Sequence, residues 1–117
     1  MTLGVPAGDK TCNGPVRFTW QAPYVLQPGE IYEVHIWADR NQNRGNVRRT
    51  KDTSTVIDIR KDVPWINWTD SNRAHFWEVV VVCQATGAKL SQELRARLFY
   101  FETRMPVDEN NPDNNCR

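Results

Sequence analysis

Cysteine is scarce in this 117-residue chain: Cys12, Cys83 and Cys116 are the only three. None has the C-x-x-C or Cys/His spacing that holds a zinc ion, so a structural metal is not expected. Histidine is scarcer still. His35 and His75 fall on separate segments, with no H-x-x-x-H, no Ser or Cys nucleophile motif beside them and no glycine-rich phosphate loop. Convergent titratable groups are what catalysis needs, and without them the expectation is a non-enzyme that carries no cofactor. Asp108, Glu109 and Asp113 lack the spaced carboxylates and glycine of a calcium loop. No apolar run approaches the roughly 20 residues of a membrane-spanning helix. The N-terminus lacks the basic and apolar regions of a secretion signal, as it would in a domain taken from within a longer exported protein. Net charge is only +1, from 15 basic and 14 acidic residues, so no global field draws in nucleic acid or an anionic membrane. Any electrostatic function must be local.

The run His75-Phe-Trp-Glu-Val-Val-Val-Val-Cys83 stands out against this background. Four β-branched valines in a row favour a strand, and the run is too short for a buried helix. Alternation turns Trp77, Val79, Val81 and Cys83 to one face, expected in the core, and Glu78, Val80 and Val82 to the other. Similar period-2 signals follow along the chain. Val16, Phe18 and Trp20 alternate with Arg17 and Thr19, and Tyr32, Val34 and Ile36 alternate with Glu33, His35 and Trp37. Pro28-Gly29 between them is the type II turn pairing. Val56 to Ile59 reads as a strand with Ile57 and Ile59 inward. The last strand is expected from Glu93, with Leu94, Ala96 and Leu98 inward and Arg95, Arg97 and Phe99 outward. Weak edge strands are expected near Thr2 to Val5 and Val47 to Thr50. Ala85 to Lys89 supplies hairpin chemistry around Gly87. The Pro- and Asn/Asp-rich residues 104–117 read as a disordered linker or tail behind a single domain spanning 1–103.

About seven short alternating strands in 100 residues are what an immunoglobulin-like β-sandwich requires. The chain resembles the fibronectin type III family over roughly residues 3–102. Val16-x-Phe18-x-Trp20 looks like that family's second strand with its core tryptophan, and Tyr32-x-Val34-x-Ile36 is similar to its third. Trp77-x-Val79-x-Val81-x-Cys83, followed by Gly87 and Ser91, looks like its Tyr-x-Val-x-Val-x-Ala and the Gly and Ser beyond. The resemblance implies an all-β, seven-stranded sandwich. It departs at Trp77, which replaces a tyrosine whose hydroxyl ties the preceding loop; an indole N–H donates but cannot accept. It departs again at the long loop before the sixth strand, which carries Val63 to Arg73. Such modules act as spacers, adhesion sites and receptor pieces alike, so fold alone names no ligand.

Three surfaces are candidates for binding. Trp65 and Trp68, three apart among polar residues, either form a stacking platform for a sugar or partner side chain or fold back to cap the sandwich. Asn67-Trp68-Thr69 is a glycosylation sequon, meaningful only in a eukaryotic secreted protein. Arg44, Arg48 and Arg49 lie in a basic loop expected at the same pole, where a basic rim would suit an acidic polysaccharide or protein segment. No aromatic ladder interleaves with them, which disfavours nucleic acid. The third surface is the outer face of the central sheet: Trp37, Val80, Val82, Arg95, Arg97 and Phe99. There, arginine stems cover the apolar area or the strip meets another domain.

With Cys83 read as a small buried hydrophobe, Cys12 and Cys116 are the only pair that remains. They bond within the chain, or Cys116 pairs with another chain, or all three stay reduced in a cytosolic protein. The leading expectation is an extracellular spacer or protein-interaction module of a larger, bacterial surface protein, meeting another protein or a neighbouring domain. The alternative is a carbohydrate-binding module built on the loop tryptophans and the basic loop.

Overall fold

The computed structural model describes residues 2–6, 10–23, 25–38, 46–66, 68–90 and 97–116. Its strands are β1 (Thr2–Leu3), β2 (Lys10–Thr11), β3 (Pro15–Gln21), β4 (Glu30–Ala38), β5 (Asn46–Thr50), β6 (Ser54–Asp58), β7 (His75–Cys83) and β8 (Arg97–Phe101), with one helical turn, α1 (Ile59–Asp62). They form an all-β sandwich: a three-stranded sheet in the order β1-β3-β6 packs on a five-stranded sheet in the order β2-β8-β7-β4-β5.

The valine strand β7 pairs antiparallel with β4 along its whole length, from Glu30 opposite Cys83 to Ala38 opposite His75. Register then decides which side chains meet. Tyr32, Val34 and Ile36 stand opposite Val81, Val79 and Trp77, and these six share the core with Val16, Phe18 and Trp20 of β3 and Ile57 of β6. Phe18 meets Trp77 edge-on at 5.1 Å between ring centroids, and Trp20 meets Tyr32 at 5.5 Å. Each such side chain, once buried, contributes about 1.5–3 kcal/mol relative to exposure, and edge-on ring pairs add to that. The Trp77 indole donates to the carbonyl of Pro6 at 2.8 Å. That bond ties β7 to the N-terminal segment. Gly29, at φ +84°, fits the third position of the Pro28-Gly29 turn.

Several expectations need correction. The first 14 residues hold two short strands rather than one: β1 pairs with β3, and β2 crosses over to run parallel to β8. The strand expected at Val56 to Ile59 stops at Asp58, whose side chain accepts from the Arg60 amide at 3.1 Å and starts α1 there. In β8 the expected phase is inverted. Phe99 and Phe101 are fully buried against Phe18 and His75, and Leu98 is half-buried. Two phenyl rings bury far more apolar area than one leucine, so they claim the core side; Leu94, Arg95 and Ala96 lie outside the described residues. Cys83 is partly exposed at the end of β7 and is a free thiol.

Residues 104–116, expected as a disordered tail, fold back over the sandwich. Val107 bridges to Cys116, Cys116 is disulfide-bonded to Cys12, and the side chain of Asn115 brackets Cys12 by accepting from its amide (2.9 Å) and donating to its carbonyl (2.8 Å). Composition alone counts apolar area, and this segment is held instead by polar bonds and one covalent bond.

Candidate functional site

The tryptophan loop is anchored by residues that strand patterns do not reveal. Ile59, Val63 and Ile66 are buried at spacings of four and three, and the Val63 amide donates to Ile59 while the Ile66 amide donates to Val63. That spacing is a helical period, and it was present in the sequence as the signal of a folded turn rather than an open loop. The turn carries Trp65 and Trp68 back onto the core, both half-buried, and the Trp65 indole donates to the Ile36 carbonyl at 3.1 Å. Asn67, the sequon residue, lies outside the described residues.

The arginines do not converge. Arg48 stands opposite the core residue Val34 and Arg49 opposite Glu33, so adjacent residues of β5 point to opposite faces. Arg48 bridges the sheets by donating from Nη2 to Asp62 at 2.9 Å, beside the start of the tryptophan loop. Arg49 donates from Nε to Glu33 at 2.9 Å on the other side. Arg44 lies outside the described residues. No single basic rim gathers Arg48 and Arg49 beside the tryptophans.

The outer face of the five-stranded sheet is largely buried within the chain itself. Val80 and Val82 form a small cluster with Ile31, and Trp37 stacks on Phe76 at 5.9 Å. Arg97 and Phe99, expected on this strip, belong to the core side instead; Arg95 is outside the described residues. Between the two apolar patches sits a charged cluster that sequence reading missed. His35 Nε2 is 2.6 Å from Glu33 Oε1 and its Nδ1 is 3.7 Å from Glu78 Oε1, while Arg49 holds the other oxygen of Glu33. Glu33, His35 and Glu78 are all buried. The link was hidden because only the β4–β7 register sets His35 opposite Glu78. The short His35–Glu33 contact and the Arg49–Glu33 ion pair engage these buried polar groups within the sheet, as buried polar groups require.

Two groups have displaced acidities. The Cys83 thiol is pushed down, chiefly by a hydrogen bond from the Thr86 side chain, then by the amides of Thr86 and Ala85. The Glu102 carboxyl is pushed down, first by the Arg104 amide. Both are partly buried, Cys83 at the end of β7 and Glu102 just after β8, and they form no common site. Among the described residues no group of three His, Cys, Asp or Glu side chains is arranged to hold a metal ion, and no helix there is long and apolar enough to cross a membrane. No protein-family model matches the sequence, and no curated protein matches it either.

Proposed function

We propose that the chain is a non-catalytic, fibronectin type III-like module of a larger exported protein, serving as a spacer or protein-interaction domain. The observation that carries this reading is the Cys12–Cys116 disulfide, which ties the first part of the chain to its end. Disulfides of this kind belong to oxidising compartments. The strand order supports the family assignment. If β1 and β2 are two halves of one edge strand, the seven strands divide as first, second and fifth in one sheet and third, fourth, sixth and seventh in the other. The candidate binding residues are also engaged internally: Trp65 with Ile36, Arg48 with Asp62 and Arg49 with Glu33. A sugar platform needs bare indole faces, and both loop tryptophans pack on the core.

Mass spectrometry of the non-reduced protein from its native producer tests the exported reading. A linked Cys12–Cys116 peptide with Cys83 free is expected, and three thiols overturn it. A glycan array tests the spacer reading: no retention is expected, and retention lost on Trp68→Ala would establish the carbohydrate-binding alternative.

A further inference from the structure

The hydrogen-bonding edge of β3 changes partner along its length. Near its end, Gly4 donates to the Thr19 carbonyl and Thr19 donates to Val5, so the N-terminal segment supplies the rungs. The chain then leaves this edge to become β2 in the other sheet. Two residues back along β3, on the same edge, the Arg17 amide donates to the carbonyl of Pro112 at 3.0 Å. The C-terminal strap therefore fills the rung that the N-terminal segment vacates. Its other holds are the Arg17–Asp113 ion pair at 2.7 Å, the Arg60–Glu109 ion pair, and the bonds of Asn115 to Cys12. Val107 lies over Gly14 so closely that a Cβ there would run into it. Under the strap is a cleft of about 110 Å³ lined by Val5, Pro6, Lys10, Val16 and Arg17.

These holds are unequal. Both ion pairs are exposed and so contribute little, which leaves, among the described residues, one backbone rung, the Asn115 bonds and the packing of Val107 on Gly14. The disulfide keeps these weak bonds together by holding them at high effective concentration. It is also asymmetric toward attack: Cys12 is fully buried, whereas Cys116 is partly exposed.

We propose that residues 105–116 are a thiol-controlled latch: the Cys12–Cys116 disulfide holds the strap on the β3 edge, and reduction by a dithiol releases it and opens that edge and the cleft beneath. A thiolate of the reductant attacks Sγ of Cys116, the S–S bond breaks, and Cys12 leaves as thiolate and takes up a proton. The reductant's second thiolate then displaces Cys116. Two electrons and two protons pass to the protein, giving two thiols, and the reductant becomes its own disulfide. The opened edge presents an unpaired amide beside the Arg17 guanidinium, the arrangement that accepts an added strand.

Hydrogen exchange on the full chain, oxidised and after dithiothreitol, tests this. Reduction should speed exchange of the Arg17 amide and of residues 107–116 by about a hundredfold or more, while Val34 and Val80 keep their protection. Alkylation should count one thiol before reduction and three after. Cys116→Ser should reproduce the released state with no reductant present. Two results overturn the latch: a strap still protected when both thiols are alkylatable, or loss of protection at Val34 and Val80 as well, which would make the disulfide a staple of the whole fold.

Discussion

Arg97 reaches from the last strand of the five-stranded sheet to the Leu3 carbonyl in the first strand of the other, Nε at 3.2 Å and Nη2 at 3.0 Å. Its position opposite Trp77 puts it on the core side of β8, at the strand's start, where only a long side chain can follow the inner face and still keep its charge wet. The two bonds close the gap between the sheets where β1 has only two residues. Arg97→Ala should cost about 1–2 kcal/mol, read as a lower urea midpoint with an unchanged slope. Arg97→Lys should recover only part, since an ammonium cannot present the guanidinium's paired donors. An unchanged midpoint for the alanine variant would mean that water replaces the contact at no cost.

The two faces of β7 should weigh equally. Alternation alone favours Val81 as the core residue and Val80 as the cheaper loss, but Val80 is 0% exposed and Val81 1%. Val80→Ala and Val81→Ala should each destabilise by on the order of 1–3 kcal/mol in chemical denaturation. A silent Val80→Ala would show that the outer face is open in solution.

The strands β3 and β4 were legible because each alternates over five residues or more with its apolar set on the core face, and β7 because four consecutive valines mark a strand buried on both faces. What the sequence hid has one of three causes. In β8 the consecutive Phe99-Tyr100-Phe101 carries no period, so the phase had to be extrapolated from leucines upstream, and it came out inverted. The charged cluster depends on a register between residues 43 apart, Glu78 opposite His35, that no local pattern encodes. The strap is held by Asn115, Asp113 and a disulfide, which hydropathy reads as reasons for disorder. The helical spacing of Ile59, Val63 and Ile66, by contrast, was legible and was masked only by the expectation of a strand ending at Ile59.

Trp65 offers a test of that folded turn. Trp65→Ala should lower stability by roughly 2 kcal/mol, less than the 3–5 of a fully buried aromatic because the side chain is half-exposed. Trp65→Phe keeps much of the packing and loses the donor to Ile36, so it should cost about 1 kcal/mol. Thermal and urea unfolding read both. A Trp65→Ala protein with an unchanged midpoint would mean the indole is free at the surface, and would reopen the stacking-platform reading.

Cys83 is the thiol left titratable once Cys12 and Cys116 are bonded, and its environment favours the thiolate. The Thr86 hydroxyl donates to the sulfur, and the Thr86 and Ala85 amides add to the effect, so the folded-state pKa lies below that of an ordinary thiol. At any pH below the ordinary thiol range a larger fraction is thiolate than in an unfolded chain, and only the thiolate attacks an alkylating agent. The iodoacetamide rate of the oxidised protein should therefore rise and level off at lower pH than that of an unstructured peptide thiol. Thr86→Val removes the first of the three donors and should move the profile back up in pH without unfolding the sandwich, since Thr86 is exposed in the turn. If the profiles of the protein, the Thr86→Val variant and the peptide coincide, the turn does not stabilise the thiolate.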